Sequence, residues 1–309
     1  MTMKILIEVP TWLGDCVMAT PSLRNIINEY KNPSISLLGT KTSLDLFRED
    51  PLISEYVVIR KNYFQAIKQF LGMRNYDLFI SFRSSFRTKL LMILLKVKEK
   101  HQYNKNSFPS GHQVQKYNNF VNSIIGHDLP PGKLQLRSFA KNKQKEVLIG
   151  INPGAAYGSA KMWKKEGYVD LSINLSKKGK IFLFGGKNEV DLANQIEDEL
   201  KKNNINNYLN LAGKTSISQL MSLISRLDLF ITGDSGPMHI AAAYKIPTVS
   251  IFGPTKDHET CQWMNPKSII LKKELVCQPC MKRVCPLKHH NCMENITSKE
   301  VMESALSLI

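Results

Sequence analysis

Short, almost continuously apolar segments recur along the chain, and they constrain the fold more than any other feature of the sequence. Four lie in the first half, at residues 4–9, 35–39, 56–59 and 78–82, and five in the second, at 147–152, 181–186, 208–213, 229–233 and 248–253. Helical patterns separate them. In residues 20–30, for example, Thr20 is predicted to cap a helix and Pro21 to lie in its first turn. Uninterrupted apolar strands that alternate with helices are typical of parallel sheets covered on both faces.

The segment 127–146 is the best candidate for a linker. It contains a Pro-Pro-Gly sequence and a Lys-rich run, and it has no sustained periodicity. A chain of 309 residues with strands on both sides of this segment suits two domains better than one. The sequence therefore predicts two doubly wound, Rossmann-like α/β domains, residues 1–145 and 146–309, which face a central cleft.

Lys and Arg outnumber Asp and Glu by 42 to 26, which gives a formal charge of +16. The excess is concentrated in residues 1–145, which hold 22 basic and 10 acidic residues. Such a charge favours an anionic partner, whether nucleic acid, an acidic lipid surface or an acidic substrate. Nucleic acid ranks lowest, because the basic stretch 83–105 has few aromatic residues that would stack on bases.

The sequence shows no sign of a membrane span or a secretion signal. No apolar run is long enough to cross a bilayer, and the N-terminal residues are interrupted by Glu8, Pro10 and Asp15. Four of the six Cys residues lie close together in residues 277–292 and are not spread as a disulfide framework. We therefore expect a cytoplasmic protein.

The loop 233–237, Gly-Asp-Ser-Gly-Pro, joins an apolar strand to a helix and contains Asp234, Ser235 and Gly236. Ligands of parallel sheets bind where strands end at their carboxyl edge, and a helix N-terminus there attracts anions. The loop is therefore a candidate phosphate site, and an ordinary capped turn is an equally good interpretation.

Two further loops of the second half have the same position. Residues 152–163 follow a predicted strand, and Lys161 in this loop can reach a diphosphate or can be an ordinary surface lysine. Residues 185–191 also follow a strand, and Lys187 or Glu189 can contact a sugar hydroxyl or can be surface charges.

In the first half, residues 9–22 follow the first strand and contain Asp15. A carboxylate beyond the end of a strand can act as a general base, or it can cap the next turn. The sequence lacks a P-loop, a Gly-x-Gly-x-x-Gly motif after the first strand and an Asp-x-Asp pair, which weakens kinase, dehydrogenase and metal-bridged diphosphate hypotheses.

A Cys-rich segment near the end of the chain allows two interpretations. Its residues are Cys277, Cys280, Cys285 and Cys292, with His289 and His290 among them. The first pair has the spacing of a zinc ribbon and the second does not, so a buried thiol cluster or an occasional disulfide competes with a zinc site.

Together these motifs resemble the heptosyltransferases of lipopolysaccharide core synthesis, glycosyltransferase family 9. The resemblance covers nearly the whole chain and is carried by residues 12–24, 151–163, 210–224 and above all 234–255. The Cys-rich segment is similar to that of the type II enzymes. The resemblance implies a GT-B fold, inversion at the anomeric carbon and no obligate metal or cofactor. A different family 9 transferase or a nucleotide-sugar 2-epimerase remains an alternative.

The resemblance also implies site residues and partners. Asp15 matches the catalytic base, Gly14 beside it an acceptor contact, and Lys161 the residue that contacts the diphosphate. Arg60 and Lys61 match acceptor contacts, and the donor contacts are Asn152, Gly154, Lys187, Glu189, Asp234, Ser235, Gly236, Pro237, Met238 and His239. The implied partners are ADP-heptose, the anionic lipopolysaccharide inner core and the inner face of the inner membrane, where the enzyme would be peripheral, and no nucleic acid.

Overall fold

The computed structural model describes residues 2–73, 75–140 and 145–309, which form two α/β units. One unit ends at Arg137 and the other begins at Ser138. The division lies inside the predicted linker 127–146, of which residues 141–144 lie outside the described residues. The roles predicted for domains 1–145 and 146–309 in acceptor and donor binding stay predictions.

The first unit is a five-stranded parallel sheet with helices between its strands. Its strand order is β3-β2-β1-β4-β5, so the order reverses between β1 and β4. The strands are β1 (Lys4–Glu8), β2 (Ser34–Gly39), β3 (Glu55–Val58), β4 (Leu78–Ser81) and β5 (Glu99–Gln102), and the helices are α1 (Leu13–Glu29), α2 (Lys41–Asp45), α3 (Tyr63–Gly72), α4 (Phe86–Leu94) and α5 (Gln113–Ile125).

The second unit is a six-stranded parallel sheet in the order β11-β10-β9-β6-β7-β8, which reverses between β6 and β9. Its strands are β6 (Leu148–Asn152), β7 (Lys180–Leu183), β8 (Tyr208–Asn210), β9 (Leu229–Gly233), β10 (Thr248–Ile251) and β11 (Ser268–Leu271). Its helices are α6 (Lys165–Ser176), α7 (Val190–Lys202), α8 (Ile217–Ile224), α9 (Gly236–Ala243), α10 (Asp257–Thr260), α11 (Asn291–Glu294) and α12 (Ser298–Leu306).

The cores of both units consist of the apolar runs found in the sequence. Every residue of β4, β6, β9 and β10 is buried, as expected for central parallel strands covered on both faces. All nine predicted strands are present, and the predicted α/β class with parallel sheets is confirmed. The sequence interpretation missed β5 and β11, which both lie at a sheet edge.

The first helix differs from its prediction. We expected a helix over 20–30 with Thr20 as its cap, but α1 begins at Leu13 and has Pro21 in its interior. Proline has no N–H for the carbonyl four residues earlier. In α1 the Thr20 hydroxyl donates to that carbonyl, of Val17, at 2.7 Å and also accepts the Gln135 backbone N–H at 3.0 Å. Thr20 therefore compensates for a proline inside the helix and does not begin it.

Candidate active site

The loops after β6 and β9 lie side by side at the point where the strand order of the second sheet reverses. The two strands pair, with Asn152 opposite Thr232 at their carboxyl ends. Loops at such a point diverge to opposite faces of the sheet and leave room for a ligand. The predicted donor loops, 152–163 and 233–237, are therefore neighbours in the fold.

A buried amide and two hydroxyls connect these loops. The Asn152 side chain is 4% exposed, and its Nδ2 lies 3.2 Å from Thr232 Oγ1 and 3.4 Å from both Ser235 Oγ and the Gly154 carbonyl. The hydroxyls of Thr232 and Ser235 lie 2.9 Å apart. Because polar groups this buried need partners, the network fixes the loops relative to each other.

Lys161 and Asp234, two predicted site residues, form an ion pair. Lys161 Nζ lies 2.5 Å from Asp234 Oδ2 and 3.3 Å from the Asp234 carbonyl, and the two side chains are only 12% and 6% exposed. The hydroxyl of Thr255 donates to the same carboxylate oxygen at 2.7 Å. The ammonium also lies 4.7 Å from the centre of the Tyr157 ring, within cation–π range.

Helix α9 begins at Gly236, with Ser235 at its N-cap and Pro237 in its first turn. The Ser235 side chain makes no capping hydrogen bond and turns instead to Thr232 and Asn152. The side chains of Met238 and His239 are 0% and 3% exposed. Neither of these two predicted donor contacts therefore presents its side chain at the surface, whereas the N-terminus of α9 offers backbone N–H groups and the positive end of the helix dipole.

Glu189 and Lys187 lie in a 3₁₀ turn, Lys187–Glu189, between β7 and α7. The Glu189 carboxylate accepts the Gly186 N–H at 2.6 Å, and its side chain packs so closely against Gly154 that a Cβ there would collide with it. Lys187 is exposed. Glu189 is thus brought to the predicted donor loops, whereas Lys187 is a solvent-exposed residue of the same turn.

In the first unit, Asp15 lies in the first turn of α1, half-buried, just after Gly14. Helix α1 follows β1, which borders the point where that sheet's strand order reverses. The next residue, Cys16, is buried and its thiol donates to the Pro10 carbonyl at 2.9 Å. Burial, with a smaller contribution from the Asp15 charge, raises the pKa of Cys16 well above its ordinary value. Asp15 is the better candidate for a base here, because the Cys16 thiol is fully buried and donates to a backbone carbonyl.

Arg60 and Lys61 follow β3 and are exposed. The Arg60 backbone is fixed by two side chains: its N–H donates to Gln69 at 3.1 Å, and its carbonyl accepts Arg87 Nη2 at 2.6 Å. Their position at the carboxyl edge of the first sheet agrees with the expected one, and their role as acceptor contacts stays a prediction.

One buried hydrogen-bond network, around Glu8, was not predicted from the sequence. Glu8, at the end of β1, is fully buried, and its carboxylate accepts from Ser81 Oγ at 2.6 Å, Arg83 Nη1 at 3.0 Å and Thr88 Oγ1 at 3.3 Å. Burial raises the pKa of Glu8, and the Arg83 charge and the hydrogen bonds oppose this effect. The sequence did contain one sign of this network: an acidic residue in an otherwise apolar central strand, since a buried acid needs hydrogen-bond partners. The network holds Arg83 at the carboxyl edge of the sheet.

The sequence profile of glycosyltransferase family 9 (heptosyltransferase) matches residues 64–291. The lipooligosaccharide heptosyltransferase 2 of Campylobacter jejuni is 41% identical over 318 residues, an alignment that covers 99% of this chain and 98% of the relative. The chain belongs to glycosyltransferase family 9. The predicted family and the predicted class of enzyme, a glycosyltransferase, are confirmed.

Solved structures of heptosyltransferases have the same fold as this family 9 chain. The ADP-heptose lipopolysaccharide heptosyltransferase II of Escherichia coli has a TM-score of 0.83 at 22% identity, and covers 99% of this chain and 98% of its own. An Escherichia coli heptosyltransferase solved with ADP has a TM-score of 0.74 at 16% identity, and covers 99% and 100%. At these identities the likeness concerns the fold, and the predicted GT-B type is confirmed.

The Cys-rich segment of this family 9 chain surrounds a small cavity of about 20 Å³. Cys277, Cys280, Cys285 and Cys292 all line it, together with His289 and His290. Burial is the main cause that raises the pKa of Cys292 to about 11. Across residues 2–73, 75–140 and 145–309, no three His, Cys, Asp or Glu side chains are arranged to hold a metal ion. The segment thus gathers its four thiols around one cavity.

Proposed function

We propose that the protein is an inverting transferase that moves heptose from ADP-L-glycero-β-D-manno-heptose to the heptose of the lipopolysaccharide inner core. Family membership and the relatives named as heptosyltransferase 2 support this proposal. The observation that carries it is the site at the reversal point of the second sheet, where a buried Lys161–Asp234 pair lies beside the N-terminus of α9. This combination of cation and backbone donors suits a diphosphate.

On the donor side, we propose that the diphosphate binds at the N-terminus of α9 within reach of Lys161. The backbone N–H groups and the ammonium stabilise the negative charge that develops on the leaving diphosphate. Asn152 and Ser235 hold the loop in shape, because their side chains bond to each other and to Thr232. Glu189 is the better candidate for a ribose contact, since its side chain packs against Gly154 of the donor loop.

On the acceptor side, we propose that Asp15 is the general base. It takes the proton of the acceptor hydroxyl while that oxygen attacks the anomeric carbon and the bond from this carbon to the diphosphate oxygen breaks, so that ADP leaves. Gly14, Arg60 and Lys61 are the proposed acceptor contacts, and two cations suit an acidic core sugar. Domain 1–145 thus binds the acceptor and domain 146–309 the donor.

We also propose where the enzyme works. An acceptor built on a lipid lies at a membrane, and the net positive charge of the chain favours the anionic inner face of the inner membrane. Within the part of the chain that the structure describes, no helix has the length and apolar character needed to cross a bilayer. The association that we propose is peripheral, and the positive charge of the chain supports it.

The test is to incubate the purified protein with ADP-heptose and with cores truncated at successive sugars, and to weigh the products. A mass increase of one heptose, confined to cores that end in the first heptose, is the expected result. Extension of a core without heptose, or of a longer one, would indicate a different family 9 transferase. Release of an altered free sugar from donor alone would indicate an epimerase.

The Cys-rich segment is proposed to be structural and to require no metal for transfer. Elemental analysis of protein purified without chelator tests this part separately. One equivalent of zinc or another transition metal per chain would contradict it.

A further inference from the structure

Helices α3 and α4 of the first unit expose large apolar side chains on their outer faces. Phe64, Phe86 and Ile93 are 77%, 78% and 75% exposed, and Leu71 and Leu90 are also exposed. Phe86, Leu90 and Ile93 follow the spacing of one helical face, as do Phe64 and Leu71. Single exposed apolar residues are normal, but five on two adjacent helices form a surface that needs an explanation.

The two helices form one surface because they pack side by side. Their inner faces are anchored in the core of the first unit, where Phe70 of α3 is fully buried and Met92 of α4 packs against the same cluster. The Arg87 guanidinium lies 5.1 Å from the centre of the Tyr63 ring and so connects the helices. We call the outer surface, with Phe64, Leu71, Phe86, Leu90 and Ile93, the α3–α4 face.

The α3–α4 face is strongly basic as well as apolar. Helix α3 contains Lys68, α4 contains Arg87 and Lys89, and neither helix contains an acidic residue. Lys68 and Lys89 are exposed among the apolar residues. Apolar side chains that protrude among cations are typical of surfaces that insert into the headgroup region of an anionic bilayer.

We propose that the α3–α4 face docks the protein on an anionic lipid bilayer. Charge complementarity selects this partner over a neutral protein surface, because α3 and α4 carry exposed lysines beside the apolar residues and contain no acidic residue. Helix α3 begins just after the carboxyl end of β3, and α4 begins just after the carboxyl end of β4. The α3–α4 face therefore adjoins the edge of the sheet that carries Arg60 and Lys61. The purpose of docking rests on the proposed function, since it would bring that edge to a lipid-borne acceptor.

Co-sedimentation of the full chain with vesicles tests the proposal without any substrate. The protein should bind vesicles of phosphatidylethanolamine and phosphatidylglycerol in a 3:1 ratio and not vesicles of phosphatidylcholine. Binding should weaken with added salt, because exposed charges are screened. Equal binding to both kinds of vesicle, or to neither, would overturn the proposal.

Two variants separate the apolar and the charged contributions. Phe64→Ser with Phe86→Ser should lower the affinity for anionic vesicles by roughly tenfold for each phenylalanine, since inserted aromatic area is lost. Lys68→Glu with Lys89→Glu should lower it by about twentyfold or more, because each lysine near an anionic surface contributes roughly fivefold. Variants that bind like the wild type would place the docking surface elsewhere.

Matched changes on the second unit serve as controls. Val284 and Leu287 are 68% and 57% exposed, and Val284→Ser with Leu287→Ser should leave vesicle binding unchanged. Sedimentation velocity tests the alternative that a second copy of the chain covers the α3–α4 face. If the Phe64 and Phe86 changes dissociate a dimer and leave lipid binding intact, the face is a contact between copies and the proposal fails. Heptose transfer to a delipidated core, measured in parallel, separates the two failures. If the protein transfers heptose but does not bind vesicles, only the docking proposal is contradicted. If it binds vesicles but does not transfer heptose, only the proposed function is contradicted.

Discussion

Replacing Lys161 by Met tests the proposed donor site most directly, because it removes the charge and keeps most of the side-chain stem. The two side chains of the Lys161–Asp234 pair are 12% and 6% exposed. Removing one partner of a buried pair costs about 3–5 kcal/mol, since the other charge is left uncompensated. Thr255 still donates to Asp234 in this variant, so we expect the lower end, about 3 kcal/mol of unfolding free energy. For a unit of this size that is roughly a 6–12 °C lower Tm.

The double variant Lys161→Met with Asp234→Asn should regain much of this loss, because no buried charge remains without a partner. Thermal and urea unfolding of the wild type, both single variants and the double variant give the coupling free energy between the two residues. Lys165→Met is the matched control, since Lys165 approaches Glu166 only to 4.0 Å at the surface and should cost less than about 0.5 kcal/mol.

Calorimetric titration with ADP then separates folding from binding. A hydrogen bond to a charged group contributes about 1.5–3 kcal/mol, so Lys161→Met should weaken ADP binding by roughly 10- to 100-fold. The double variant should be stable and still bind ADP weakly. If it regains ADP affinity together with its stability, Lys161 acts only through the fold. Unchanged Tm and ADP affinity in Lys161→Met would refute both the buried pair and the donor site.

Three further predictions concern the first unit. Asp15→Asn should lower transfer by about 10²–10⁴-fold and leave ADP affinity nearly unchanged, and near-normal turnover would mean that Asp15 is only a first-turn acid that interacts with the dipole of α1. Arg60→Glu with Lys61→Glu should raise the KM for the acceptor and not for the donor, with salt reproducing the effect in the wild type; matched changes in both KM values would contradict the acceptor role. Burial raises the pKa of Glu8 above its ordinary 4.5, so the stability that Glu8 contributes is present below that value and is lost as the pH rises through the raised pKa. Glu8→Gln should therefore flatten the pH dependence of unfolding in this window, and an unchanged slope would mean that Glu8 titrates normally.

The sequence predicted the central strands well because a strand covered on both faces must be apolar throughout. Of the two strands it missed, β5 and β11, which both lie at sheet edges, β11 (Ser268–Leu271) contains an apolar run that was a usable signal. In β5 the residues Glu99–Gln102 are all polar, so no apolar pattern exists to find. The start of α1 was missed for a different reason: Pro21 is typical of a first turn, and it is tolerated further along because the Thr20 hydroxyl bonds to the Val17 carbonyl that Pro21 leaves without a donor.

For the candidate site, the sequence predicted which loops meet but not how their side chains pair. Position at the carboxyl ends of parallel strands brought Asn152, Lys161 and Asp234 together, as expected. The hydroxyls of Thr232 and Thr255 that complete their hydrogen bonds had no signal, because Thr is ordinary in a buried strand and in a turn. Such partners depend on distances between segments that are far apart in the sequence.

The pairing of Lys161 with Asp234 also refines how the proposed donor site would work. An ammonium has three N–H donors, and the two contacts to Asp234 occupy two of them. Asp234 therefore orients Lys161 and leaves one donor for a phosphate oxygen. The pair also keeps the loop close to neutral, so the field at the N-terminus of α9 comes mainly from its backbone N–H groups. A site of this kind can attract a diphosphate without holding the ADP product as tightly as an unpaired cation would, which favours release after transfer.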